Sequence, residues 1–170
     1  MPIAGCQLPD ANFPPMPYRV CKSFQIESGH MLSKHPGRCR FPHGHSRRVE
    51  VVLSAAALDD GDMVCDFKAL KLALLPHLDE LDHAMAINVA DPMRETLERA
   101  DSRVVIFEVD PTTEVMARRL FDIIERELVR GGEYRDDQGC VYRFPPGVRL
   151  ERVRLSETAT TWGEYARDDA

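Results

Sequence analysis

The sequence predicts an α+β fold: an antiparallel four-stranded sheet with two helices packed on one face, in the chain order ββααββ. Three observations predict it. Apolar residues alternate with period two in the segments after the N-terminal stretch and near the C-terminus. They recur at helical spacing in two central segments. Those two segments lie between the strand pairs, interrupted only by a short β-rich run.

Five of the 12 prolines stand at positions 2, 9, 14, 15 and 17, so residues 1–17 are expected to form an extended arm ahead of a single domain over 18–170. From about Tyr18 to His30 the alternation predicts a strand in which Phe24, Ile26, Ser28 and His30 share a face. Ser33 to Pro42 contains Pro36, Gly37 and Pro42 and reads as a loop. A second strand over about His43 to Ala57 sets His43 and His45 on the same face as Val49, Val51 and Leu53. Asp66 can cap a helix that starts at Phe67 and ends near Leu81, with Phe67, Leu70, Leu74 and Leu78 on one stripe. After a polar stretch and the β-rich run Val104 to Val109, Asp110-Pro111-Thr112-Thr113-Glu114 reads as a helix start. Met116, Leu120, Ile123 and Ile124 form that helix's buried stripe, and Gly131-Gly132 ends it. The segment around Glu133 to Gly139 reads as an exposed hairpin or loop. A strand over about Val148 to Thr158 aligns Val153, Leu155 and Glu157, and Trp162 to Ala166 can pair with it.

With 170 residues, 44% of them hydrophobic, the chain can bury one core. Its 22 basic and 28 acidic residues give a net charge of −6, which argues against a nucleic acid partner. No run approaches the roughly 18 apolar residues of a membrane span, and Met1 to Pro17 lacks the marks of a secretory signal, so a cytoplasmic protein is expected. Five cysteines without a CxxC pair suit reduced thiols better than a disulfide framework.

His43-Gly44-His45 is the most informative triplet, because residues i and i+2 of an extended segment can present two imidazoles to one ion. His30, at the end of the preceding strand and of matching parity, makes a third. Three histidines with a fourth position open are the pattern of a catalytic zinc. His35 and His77 read as ordinary solvated or helix-end histidines. Cys39, between Arg38 and Arg40 in the loop before His43, reads either as a loop cysteine without a role or as a thiolate base near the ion. Asp82-His83 reads equally as a helix-end capping pair and as a proton carrier with its orienting carboxylate. Glu157 is an acid on the covered face, and burial without a partner is costly. Either it reaches solvent at the strand end, or it meets a flat ligand with several N–H donors, such as the amino-pyrimidinone edge of a pterin. Thr112, Thr113 and Glu114 suit a helix N-terminus and could also meet a ligand. Arg38, Arg40, Arg47 and Arg48 form a basic cluster suited to anionic phosphates, although Arg47 and Arg48 read equally as a solvent-facing strand edge, the reading preferred for Arg48.

Taken in order, Gly29-His30, Cys39-Arg40-Phe41-Pro42-His43-Gly44-His45, Met63-Val64-Cys65-Asp66-Phe67, Leu81-Asp82-His83, Asn88, Pro111-Thr112-Thr113-Glu114 and Ser156-Glu157-Thr158 resemble the family of 6-pyruvoyl- and 6-carboxy-tetrahydropterin synthases. The resemblance runs over roughly residues 18–166. It implies the tunnelling fold (T-fold), in which sheets of several subunits close a barrel and active sites form where subunits meet; a homo-oligomer, a hexamer, is implied with it. It further implies Zn2+ on His30, His43 and His45, Cys39 as the base, Asp82 and His83 as its relay partners, Glu157 as the pterin anchor, and Thr112 and Thr113 lining the pterin pocket. Three residues separate Cys39 from His43, a spacing that resembles the 6-carboxy-tetrahydropterin synthases of queuosine biosynthesis. The activity so implied converts 7,8-dihydroneopterin triphosphate to 6-carboxy-tetrahydropterin, acetaldehyde and triphosphate. A 6-pyruvoyl-tetrahydropterin synthase and a non-catalytic pterin-binding zinc protein are the alternatives. Ile26-Glu27-Ser28 before the first zinc histidine, Arg47, and Ala84-Met85-Ala86-Ile87 depart from the family pattern.

Overall fold

A computed structural model of the protein describes residues 17–100 and 102–167. The first sixteen residues of the expected Pro-rich arm lie outside the described residues. The sheet is organised by the hairpin of β1 (Tyr18–His30) and β2 (His43–Ala55), paired without interruption from Tyr18 opposite Ala55 to His30 opposite His43. β2 pairs in turn with β7 (Arg149–Ser156), and β7 with β8 (Trp162–Ala166), all antiparallel. This half of the sheet is the four-stranded antiparallel arrangement expected from the alternation.

Two further strands correct that expectation. β3 (Ala84–Asn88) lies parallel to the free edge of β1, and β4 (Val104–Phe107) lies parallel to β3, so the sheet has six strands in the order β4-β3-β1-β2-β7-β8 and is mixed. The reason is burial. Ala84, Ala86, Ile87 and Asn88 are all buried, so β3 has no alternation to read, as is usual for a parallel strand covered on both faces. The helices also number three among the described residues, because the short α2 (Arg94–Arg99) sits between β3 and β4. The segment expected as a hairpin or loop carries a small two-stranded ribbon, β5 (Tyr134–Arg135) with β6 (Val141–Tyr142).

The two long helices form as their sequences dictate. α1 (Phe67–Leu81) starts at Asp66, whose carboxylate accepts from the Lys68 amide at 2.7 Å. Pro76 removes one internal hydrogen bond, yet the helix continues because Leu70, Leu74, Leu78 and Leu81 bury one stripe against the sheet. α3 (Thr113–Arg130) is capped by Thr112, which accepts from the Val115 amide at 3.4 Å, and ends on Gly131 in the left-handed conformation that glycine adopts without a Cβ penalty (φ 61°). Val49, Val51, Leu53, Val153 and Leu155 meet Leu70, Leu74, Met116, Leu120 and Ile124 in the core. Leu150 joins them although it breaks the parity of Val153 and Leu155, because the register slips between Val52 and Leu53 and leaves Glu151 as an extra residue. The end of β1, the start of β2, the start of α3 and the end of β7 thus converge at one end of the covered face. No helix among the described residues is long and apolar enough to cross a membrane.

Candidate metal and ligand site

His30 and His43 face each other across the β1–β2 ladder, and His45 follows on the same face opposite Ser28. The rings sit 4.5 Å (His30–His43), 5.1 Å (His30–His45) and 5.0 Å (His43–His45) apart. His30 places Nδ1 2.9 Å from the carbonyl oxygen of Pro111, and His43 places Nδ1 2.7 Å from that of Phe41. A carbonyl only accepts, so both Nδ1 atoms carry the proton and both Nε2 atoms offer a lone pair. The Nε2 atoms of His30 and His45 are buried without a hydrogen-bond partner among the described residues. Burial pushes the His30 pKa down to about 4 and lowers that of His45 as well, which keeps both rings neutral at physiological pH. His30 combines a backbone-fixed Nδ1 with a free Nε2, His43 adds a second backbone-fixed Nδ1 and His45 a second free Nε2, and such imidazole donors are what zinc takes, so the residues present fit such an ion.

Glu157 joins the histidines. Its Oε1 lies 3.3 Å from His30 Nε2 and 3.1 Å from His45 Nε2, and one ligand atom from each of His30, His43, His45 and Glu157 falls within 4.8 Å of the others. Its Oε2 accepts from Thr113 Oγ at 3.3 Å. The strand alternation that placed this acid on the covered face therefore describes it correctly, and the side chain is half-buried.

The loop between β1 and β2 folds back as its position requires. Leu32 N donates to Cys39 O at 2.9 Å, and the segment closes through a 3₁₀ turn over Arg38–Arg40. Buried Asp110 latches it: Oδ1 accepts from Ser33 Oγ at 2.9 Å and Asn88 Nδ2 at 2.8 Å, and Oδ2 accepts from the Lys34 amide at 2.8 Å. Cys39, half-buried, consequently lines a cavity of about 380 Å³ together with His30, Thr112, Thr113, Glu157 and Trp162. His35 lines the same cavity from the loop, whereas His77 does not.

Asp82 and His83 are placed elsewhere. Asp82 ends α1, its Oδ1 accepts from the Glu27 amide at 2.7 Å, and its Oδ2 lies 2.9 Å from His83 Nδ1. These hydrogen bonds, the Glu27 amide first, hold the Asp82 carboxyl below its usual range. His83 has φ 53°, a left-handed conformation that costs a non-glycine residue strain and so marks a position fixed by its surroundings. His83 is exposed and Asp82 half-buried beside the outward-facing Glu27, and neither lines the cavity that holds Cys39.

Of the two open readings of Arg47, the structure excludes the solvent-facing edge. Its side chain is 1% exposed, with Nε donating to Ser28 Oγ at 3.0 Å and Nη1 to Thr113 Oγ at 3.2 Å. The signal was available, since 43, 45 and 47 share a strand face; only the charge spoke for the outside. Arg48 does face solvent, as do Arg38 and Arg40. The Asp110 latch was not foreseeable, because it joins three segments distant in sequence.

The family model described as 6-pyruvoyl tetrahydropterin synthase matches residues 19–168. The 6-carboxy-5,6,7,8-tetrahydropterin synthase of Aquifex aeolicus is 30% identical over 173 residues, covering 90% of this chain and 100% of its own. The enzyme of the same name from Haemophilus influenzae is 26% identical over 156 residues, covering 87% and 98%. Among solved structures, an uncharacterized protein from Wolinella succinogenes superposes with TM-score 0.71 at 22% identity, covering 90% of this chain and 99% of that one. The 6-pyruvoyl tetrahydropterin synthase of Plasmodium vivax superposes with TM-score 0.63 at 14% identity, covering 89% and 98%, so the fold is shared well beyond recognisable sequence. Matched over nearly its whole described length, the chain belongs to the 6-pyruvoyl tetrahydropterin synthase family.

Proposed function

We propose that this protein is a zinc-dependent lyase of the 6-carboxy-5,6,7,8-tetrahydropterin synthase type, converting 7,8-dihydroneopterin triphosphate to 6-carboxy-tetrahydropterin with release of acetaldehyde and triphosphate. The observation that carries the reading is the convergence of three imidazoles beside a cavity that also holds a thiol and a carboxylate. The three-residue spacing between Cys39 and His43 and the names of the relatives favour the carboxy product over the pyruvoyl one.

His30, His43 and His45 would hold the zinc ion, which when bound supplies a Lewis acid for substrate oxygen and developing negative charge. Cys39 is the base that removes a side-chain proton. Glu157 accepts two parallel hydrogen bonds from the amino-pyrimidinone edge and so sets which carbon faces Cys39. Thr112 and Thr113 line the pterin pocket beside it. Asp82 and His83 relay the proton, and their place outside the cavity of their own chain supports a homo-oligomer, a hexamer, in which a neighbouring copy supplies the pair. With free thiols at Cys21, Cys39, Cys65 and Cys140 the chain suits the reducing cytoplasm.

The test is to incubate the zinc-loaded protein with 7,8-dihydroneopterin triphosphate and weigh the pterin product. A product that has lost two side-chain carbons, with acetaldehyde in equal amount, supports the proposal. A product that keeps all three side-chain carbons makes the protein a pyruvoyl-forming phosphate lyase, and binding without triphosphate release makes it a non-catalytic pterin binder.

A further inference from the structure

The guanidinium of Arg47 is the most deeply buried charge on the covered face, and its hydrogen bonds do not account for it. Ser28 and Thr113, which take Nε and Nη1, are neutral hydroxyls. Nη2 is buried and has no hydrogen-bond partner among the described residues. A buried cation with an orphaned donor is costly, and such a group persists where a charge of opposite sign meets it. The acid that its hydrogen bonds lead to, through Thr113, is Glu157. Antiparallel pairing explains why: Val49 lies opposite Leu155, so two residues further along Arg47 comes opposite Glu157. The hydroxyl of Thr113 accepts from Arg47 Nη1 at 3.2 Å and donates to Glu157 Oε2 at 3.3 Å, which makes a continuous chain from guanidinium to carboxylate. Glu157 and Thr113 line the cavity, whereas Arg47 lies behind them.

We propose that Arg47 is a positioning residue for ligand recognition, holding the Glu157 carboxylate through Thr113 so that Glu157 accepts the two N–H donors of an amino-pyrimidinone ring. This rests on the pterin reading given above. Arg47 does not touch the ligand; its cationic fork compensates and orients the anion that does. Three of its features are needed together: charge, planarity and a free donor. Lysine at this position would keep the charge and N–H donors but not the planar fork.

The test is a double-mutant cycle on the zinc-loaded full chain, reading affinity for 7,8-dihydroneopterin by fluorescence titration. Arg47→Met and Glu157→Gln should each weaken binding by about tenfold or more, the loss expected when a charge-assisted hydrogen bond is broken. Arg47→Met in the Glu157→Gln background should add no more than about twofold, because the two act as one unit. In turnover, Arg47→Met should raise KM and leave kcat within about twofold, the mark of lost uniform binding. Zinc content should stay as in the wild type. Should Arg47→Met fail to fold, Arg47→Lys is read the same way, with an expected loss of about threefold that vanishes in the Gln background. Additive losses, or Arg47 variants that bind as tightly as the wild type, overturn the assignment while leaving the pterin reading intact. If the wild type itself does not bind 7,8-dihydroneopterin, the pterin reading fails and takes this inference with it.

Discussion

His30 and His43 owe their availability to backbone carbonyls. Hydrogen bonds from Nδ1 to Pro111 and Phe41 orient the two rings and favour the tautomer that leaves Nε2 with a lone pair. Cys39 is brought beside them by the chain reversal at Leu32, and its role is tested directly. Cys39→Ala is expected to lower turnover by about 10²- to 10⁴-fold, the usual contribution of a positioned general base, with zinc content and melting temperature unchanged. Unchanged turnover in a steady-state assay would remove Cys39 from the reaction. Arg47 teaches a different lesson at the same scale. Strand parity placed it inside and charge placed it outside, and parity won because Ser28 and Thr113 wait there as acceptors, with Glu157 one hydrogen bond beyond Thr113.

At the scale of elements, the site depends on how firmly the β1–β2 loop and the start of α3 are held. Asp110 does the first. Burial, the largest influence, works to raise its pKa, but hydrogen bonds from Asn88, the Lys34 amide and Ser33 together hold it below its ordinary value of 3.8. A carboxyl whose pKa is lower in the folded than in the unfolded chain adds stability above the unfolded value, and that stability is lost as pH falls through the folded one. Thermal melts from pH 6 to pH 2 should therefore show a steeper acid loss for the wild type than for Asp110→Asn, and parallel curves would deny the latch this role. The start of α3 is held by β8, whose Gly163 packs against it. A Cβ there would lie 3.0 Å from the Glu114 amide nitrogen and 3.1 Å from Thr113 Cγ2. Gly163→Ala should cost about 1–3 kcal/mol by overpacking and displace Thr113 from Glu157, so that a denaturant titration and pterin affinity change together.

For the whole molecule, the Asp82-His83 pair lies outside the cavity that Cys39 lines in its own chain, so the proposed role of assembly in the chemistry can be tested. If a neighbouring copy supplies the pair, two inactive variants should complement. Cys39→Ala and His83→Ala chains, mixed and allowed to exchange subunits, should recover activity at roughly a quarter of the sites by random assortment in a closed homo-oligomer, and no recovery would place both residues in one subunit's site. Much of this protein was legible in its sequence. Alternation placed His30, His43, His45 and Glu157 on one covered face, Asp66 and Gly131 marked helix ends where the structure has them, and the expected start over Asp110–Glu114 contains the actual cap, Thr112. These features depend on local geometry, which a period of two or of 3.6 residues encodes directly. Tertiary structure alone decided the rest: that β3 and β4 extend the sheet, that Asp110 ties the loop to β3 and α3, and that a buried guanidinium backs Glu157. Each of these depends on which distant segment covers a residue, and a buried strand without alternation or a charge without a visible partner carries no mark of its cover in the chain.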